Sequence, residues 1–487
     1  MAYQAFSVSW NLTARCNLFC THCYMSAAPH ADISTDLTAN ECFKVIDDMA
    51  KVNPNLFLIL TGGEPLVRRD IFDIAGYASD KGFTCVLGTN GVLLGQKEAR
   101  AMRASGLQGA SISLDSVDPE RHDKFRQLPG AFKNALRGIQ HLKDEGLDFS
   151  LHMSIMSWNV SEIPAMIDFA RDIGCKVLNF FFLIQTGRGQ NIIDIQPSQY
   201  REILTYLARV QGVGPKDANF SGELFNQFGD PWTTSIGSAN GVILRAKCAP
   251  HFRKIIYELD PNSPMLKNYA QGSCPAGKYY CRITPEGDIT PCPYMPVSAG
   301  SLRQQTFDDI WNNSPVLNDL REPHLGGRCG ECEFSEICGG CRCRAYAASG
   351  DYLAEDPACN YQPGQYGGKK ISLASEQIFG LQMKFTLEWS LAAQERLNRL
   401  PSFARGMVGS GVERYAKENS IQLITPEVMQ TVREAAEIRM GKSFQFSEFN
   451  RGATAPSEIA ALAGVVTSAA DVPVVGHEED KSRSIPS

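Results

Sequence analysis

Apolar runs and amphipathic stretches alternate strictly along the first part of the chain. Strand-like runs fall near residues 6–12, 56–61, 83–88, 109–114, 148–155 and 177–184. Between them apolar positions recur at helical spacing, as in Thr38 to Met49 and Gly130 to Asp144. Thr38 followed by Glu41 has the form of a capping box, which predicts a helix start there. Parallel strands need a crossover connection, so strand and helix units in this order predict a parallel α/β core over residues 1–190. In such folds chemistry collects where strands end and loops begin.

At 487 residues the chain exceeds what one core usually serves, so two or three domains are expected. Apolar residues at 43% and charged residues at 21% suit a globular enzyme. A net charge of −6 leaves no basic footprint, which argues against a nucleic-acid partner. No run is long enough to span a bilayer, and Met1 to Trp10 lacks the form of a secretory signal, so a cytoplasmic location without a membrane partner is expected. In that setting the sixteen cysteines are expected to be reduced metal ligands rather than disulfides.

Cys16, Cys20 and Cys23 form a CxxxCxxC string. Three clustered thiolates on a four-iron cluster leave one iron free for a small molecule. A zinc knuckle, which wants a fourth ligand nearby, and a chance cluster are the alternatives. Tyr24 follows the third cysteine, Gly62-Gly63-Glu64-Pro65 ends the run Leu56 to Leu60, Thr89-Asn90-Gly91 follows another run, and Ser113-Leu114-Asp115 ends a fourth. In this order the segments resemble the radical S-adenosylmethionine (AdoMet) enzymes. The resemblance implies a partial (β/α)6 TIM-type barrel, a [4Fe-4S] cluster on Cys16, Cys20 and Cys23, and AdoMet as cofactor. It also implies that Gly62, Gly63 and Glu64 hold the AdoMet amino group and that Ser113 and Asp115 orient its ribose. Tyr24, Pro65 and Asn90 belong to the same cofactor-binding set.

A second cysteine group begins at Cys274. Cys274, Cys281 and Cys292 frame Ile283 to Asp288, which reads as strand, turn and strand. Cys329, Cys332, Cys338, Cys341, Cys343 and Cys359 follow. Zinc ribbons are the alternative for the paired CxxC portion. The full order resembles the SPASM extension of radical AdoMet enzymes, which implies one or two auxiliary [4Fe-4S] clusters. By position, Cys274, Cys281, Cys292 and Cys341 would hold one and Cys329, Cys332, Cys338 and Cys359 the other. The spacing before Cys341 is one residue short of the usual pattern, so Cys341 or Cys343 stays open. Cys42, Cys85 and Cys175 lie in helix or strand patterns and read as small buried hydrophobes. Cys248 and His251 read either as axial ligands for an iron-bearing substrate or as a loop cysteine and a surface histidine. Arg188 reads either as a fork for a substrate carboxylate or as a solvated side chain.

Beyond the Pro/Gly-rich stretch 362–368 no cysteine occurs and the pattern turns helical. Trp389, Arg396, Leu397, Glu413, Tyr415-Ala416 and Ile424 to Glu427 resemble the small helical domain ending a subunit of light-independent protochlorophyllide reductase. A generic helical hairpin is the alternative. The expected organisation is a barrel core (1–190), a connecting region (191–273), the SPASM region (274–365), the helical domain (380–445) and a disordered tail (451–487). The combination resembles the radical enzymes of alternative haem biosynthesis, and implies oxidative decarboxylation of two propionates of iron-coproporphyrin III to vinyls. A deacetylase, a dioxo-haem-forming relative and a SPASM peptide maturase are the alternatives. The implied partners are a tetrapyrrole substrate and an electron donor such as a ferredoxin or flavodoxin.

Overall fold

The computed structural model describes residues 3–192, 194–215, 224–225, 242–267, 274–372, 385–398 and 402–440. The expected tail from 451 onward lies outside the described residues, as does part of the connecting region.

All six expected strands form: β1 (Ser7–Asn11), β2 (Phe57–Thr61), β3 (Thr84–Thr89), β4 (Gly109–Ser113), β5 (Asp148–Ile155) and β6 (Val177–Phe182). They pair in chain order, each parallel to the next. Residues of one parity, such as Leu58, Leu60, Ile112, Leu151 and Phe180, enter one hydrophobic core together with helix residues such as Ile46, Ile74 and Leu142. Residues of the other parity face the barrel lumen and include polar ones such as Ser111, whose hydroxyl accepts a 2.9 Å bond from Ser150. Helix α1 (Ala39–Val52) opens with the predicted capping box: Thr38 Oγ1 accepts from the Glu41 amide at 3.3 Å, and Glu41 accepts from the Thr38 amide at 2.8 Å.

Both edges of this sheet are extended. After β6 the chain adds a seventh parallel strand, β7 (Ile243–Lys247), inside the stretch expected to be only a connection. On the opposite edge β8 (Tyr280–Ile283) pairs in parallel with β1, and β9 (Asp288–Thr290) and β10 (Gly300–Ser301) follow antiparallel, giving ten strands in one sheet among the described residues. The strand, turn and strand expected around Gly287 is the β8 to β9 hairpin; the carboxy-terminal cysteine region is therefore bonded directly to the barrel. A separate core near the carboxy terminus joins Trp389, Leu397, Val412, Ala416 and Ile424. Its anchor is buried Glu413, which accepts bonds from the amides of Thr386 and Leu387 and from the Trp389 indole at 2.8–3.1 Å.

Candidate active site and auxiliary cysteine nests

Cys16, Cys20 and Cys23 lie on one loop leaving β1, with Cys16 and Cys20 buried. Burial raises the Cys16 thiol to about 12, and its two neighbouring cysteines push in the same direction. The loop is clamped by the turn after β2. The Gly63 amide donates to Thr13 O at 2.7 Å and the Glu64 amide to Arg15 O at 2.9 Å. A Cβ on Gly63 would meet Arg15 O at 2.2 Å, and one on Gly62 would meet Thr13 O at 2.8 Å, so side chains there would push the loop away. Glu64 is fully buried and accepts from Thr89 Oγ1 at 2.7 Å, the Asn90 amide at 2.9 Å and the Leu66 amide at 3.1 Å. Burial lifts its carboxyl to about 7 against these donors. Asn90 donates to Asn17 at 2.8 Å and lies 3.9 Å from the Cys16 sulfur. Pro65 is buried at the start of a short 3-10 turn. A thiol triad, a buried acid and a glycine cradle therefore meet at one end of the barrel. This donor set fits a cluster that keeps one corner for a ligand.

The Tyr24 hydroxyl accepts from Asn11 at 2.8 Å, and its ring meets Tyr294 edge-on at 5.2 Å. Ser113 stands on the lumen face of β4 opposite His152. Asp115 is buried and holds Arg126, whose Nε and Nη2 donate at 2.7 and 2.6 Å, while the Ser154 amide donates at 3.0 Å. Burial alone would raise the Asp115 carboxyl; Arg126 overcomes it and keeps the group below the usual range. Arg126 in turn reaches the Cys20 sulfur at 3.8 Å. Asp115, expected at the ribose, thus acts on the cysteine loop through Arg126. Arg188, half-buried, is turned onto the cysteine loop. It donates to Cys20 O at 2.9 Å and Ala27 O at 2.8 Å, and covers the Phe19 ring at 4.0 Å. Arg126 carried no sequence signal, because it acts on a cysteine 106 residues away.

The auxiliary cysteines form two nests. Cys343 is hydrogen-bonded to Cys274, Cys292 and Cys341. The bond to Cys343 brings the Cys274 thiol down to about 6 and Cys341 below its usual range. Cys248, in the left-handed region at φ 59°, sits beside the same group. Cys281 does not join it. On β8 it faces the barrel core, fully buried, and the charge acting on its thiol is that of Arg321. Successive strand residues face opposite sides, so Cys281 cannot follow its neighbour Tyr280 toward Cys292. The second nest lines one cavity with Cys329, Cys332, Cys338 and Cys359. A Cβ on Gly340 would meet the Cys329 sulfur at 3.1 Å, so the cavity wall is pared to bare backbone there. Buried Asp356 joins the two nests: it accepts from the Cys341 amide at 2.6 Å, and its own amide donates to Cys329 at 3.5 Å. Arg344, at 3.1 Å, and His251, at 3.3 Å, flank it. Burial works to raise the Cys359 thiol, and His251 holds it down. Cys248 and His251, read together as candidate axial ligands, thus divide between the two nests. Among the described residues no three His, Cys, Asp or Glu side chains are gathered as for a single metal ion. Cys42, Cys85 and Cys175 are buried away from every nest, their thiols raised to about 12 by burial.

A parallel partial barrel with a three-thiol loop at its mouth and cysteine nests on its edge defines a radical AdoMet enzyme with a SPASM extension. Residues 10–170 match the Radical SAM superfamily, residues 274–342 an iron-sulfur cluster-binding domain, and residues 389–433 the proto-chlorophyllide reductase 57 kD subunit. The chain is 36% identical over 367 residues to the AdoMet-dependent heme synthase of Methanosarcina barkeri, covering 74% of this chain and 97% of that one. It is 33% identical to the Nitratidesulfovibrio vulgaris protein of the same name, covering 73% and 92%. Streptococcus suis SuiB bound to S-adenosylmethionine shares the fold at a TM-score of 0.56 and 14% identity, over 74% of this chain and 78% of that one. The chain belongs to the AdoMet-dependent heme synthase family of radical SAM enzymes. Its cofactors are accordingly AdoMet and [4Fe-4S] clusters. Among the described residues no helix is long and apolar enough to cross a membrane.

Proposed function

We propose that the protein oxidatively decarboxylates two propionates of iron-coproporphyrin III to vinyl groups, giving haem. The observation that carries this reading is the 36% identity extending over 97% of the Methanosarcina barkeri relative. In this reading Cys16, Cys20 and Cys23 hold the catalytic cluster, and Glu64, Asn90, Gly62 and Gly63 form the wall against which AdoMet lies. Bound there, the pair supplies a deoxyadenosyl radical able to take hydrogen from an unactivated carbon. The chain's own part is to position the substrate carbon and keep water from the lumen. Arg126 and Arg188 hold the cysteine loop, and Ser113 faces the space between cofactor and substrate. Each propionate gives up one hydrogen atom and carbon dioxide and leaves one electron over. Cys274, Cys292, Cys341 and Cys343 would hold an auxiliary cluster, and that cluster would supply a place for the electron. Its neighbour Tyr294 touches Tyr24, the residue after Cys23. A ferredoxin or flavodoxin provides the starting electron.

Anaerobic turnover with AdoMet, reductant and iron-coproporphyrin III tests the reading by mass spectrometry of nucleoside and porphyrin. Deoxyadenosine with stepwise loss of two carboxyl groups is expected. Deoxyadenosine with an unchanged porphyrin would overturn the substrate and keep the radical chemistry.

A further inference from the structure

Strand β7 carries two cations that nothing in the sequence marked. Its Leu244 enters the hydrophobic core, so Arg245 and Lys247 fall on the opposite, lumen side. Arg245 is in register with Asn179 and Lys247 with Phe181, whose ring lies 4.9 Å from His152. Ser113 is the β4 partner of that same histidine. The two cations therefore share a lumen wall with the residue that faces the cofactor space.

Among the described residues neither cation has an anionic partner. Other buried arginines are satisfied by an oxygen: Arg126 and Arg344 by the carboxylates of Asp115 and Asp356, and Arg321 and Arg342 by the carbonyls of Gly277 and of Tyr352 and Ala354. Among the described residues no carboxylate pairs with Arg245 or Lys247. The charges acting on them are those of Tyr279 on Arg245, of Cys248 on Lys247, and of Arg245 itself on Lys247. The Arg245 Nε is buried without a hydrogen-bond partner. Two like charges in a low-dielectric lumen are unfavourable unless an anion enters.

We propose that Arg245 and Lys247 bind two neighbouring carboxylates of the tetrapyrrole, namely the propionates that are retained in the product. The inference rests on the tetrapyrrole reading above and adds to it which end of the macrocycle meets β7. Electrostatics selects the retained pair. A reacting carboxylate must shed its charge as carbon dioxide leaves, so a cation clamped on it would stabilise the ground state and slow the step. A carboxylate that keeps its charge throughout can be held tightly without opposing the reaction. A bidentate guanidinium beside an ammonium suits two such groups, and holding them aims the opposite edge of the ring at the cofactor.

The test is an anaerobic absorption titration of the cluster-loaded protein with iron-coproporphyrin III and, separately, with haem, AdoMet and reductant being left out. R245Q and K247Q are expected to weaken both ligands by about 10-fold or more each, as loss of a charge-assisted bond predicts. R245K and K247R keep the charge and are expected to stay within a few-fold of wild type. Iron content and cluster absorbance check that each variant is folded. Equal binding by wild type and the charge-removing variants overturns the proposal. Weakened iron-coproporphyrin binding with unchanged haem binding assigns the cations to the reacting carboxylates and overturns it as well. Failure of wild type to bind either porphyrin overturns instead the tetrapyrrole reading on which the proposal stands.

Discussion

Cys16, Cys20 and Cys23 come from one loop and are positioned from outside, by the turn at Gly62 to Glu64, by Arg126 and by Arg188. Cys274, Cys292, Cys341 and Cys343 come from segments far apart in the chain and are positioned by one another through Cys343. In the first nest backbone and buried charge fix the geometry, and three thiols leave a corner beside Glu64. The nest around Cys343 has a thiol for every corner, and its nearest acid, Asp356, is already paired with Arg344 and His251, so it suits holding charge rather than binding a reactant. The comparison teaches that the number of thiols matters less than what stands beside them.

The largest effect comes from breaking the first nest. Cys16→Ala, Cys20→Ala or Cys23→Ala is expected to bring deoxyadenosine formation to the rate without enzyme, while the absorbance of the auxiliary clusters persists. A variant that still cleaves AdoMet would remove the triad from the chemistry.

The second nest is tested by a pair of variants. Cys343→Ala is expected to lose about four irons per chain, one cluster's worth. Cys281→Ala should keep its iron and show only a packing cost of roughly 1–2 kcal/mol in denaturant unfolding. The reverse outcome in iron analysis would return the ligand role to Cys281.

The smallest effect concerns the acid that distinguishes the two nests. The Glu64 carboxyl titrates near 7 in the fold, above its ordinary 4.5. Its contribution to stability is therefore fully present below pH 4.5 and is lost as pH rises through about 7. Between pH 5 and 8, without AdoMet, the melting temperature of wild type should fall more than that of Glu64→Gln. Parallel pH profiles for the two proteins would show that Glu64 is not protonated in the fold.

Strands β1 to β6 were legible because their apolar runs end at turn residues. Strand β7 was hidden because Arg245 and Lys247 occupy its lumen positions, so five residues carry no apolar run. The hairpin around Gly287 could be read, but its pairing with β1 could not, since no local pattern names a distant partner. The triad, the glycine turn and Asn90 announced themselves as motifs. Arg126 and Asp356 did not, and Arg188 stood out without its role being legible, since these roles exist only through contacts with residues remote in sequence. Spacing counts residues but not faces, which is why Cys281 looked like a ligand and Cys343 only like a rival of Cys341.

The pairing of β1 with β8 also sets a clock on biosynthesis. Arg282 of β8 and Asn11 of β1 are hydrogen-bonded across 271 residues of sequence. At ~5–20 residues per second a ribosome needs roughly 15–55 seconds to make the intervening chain. Through that interval β1 can take β2 as a neighbour but has an open hydrogen-bonding edge on its other side, next to the loop bearing Cys16, Cys20 and Cys23. An unpaired edge beside bare thiols is a site for mispairing. The nascent enzyme therefore passes through a stage in which its catalytic loop is already made and its barrel is still unzipped.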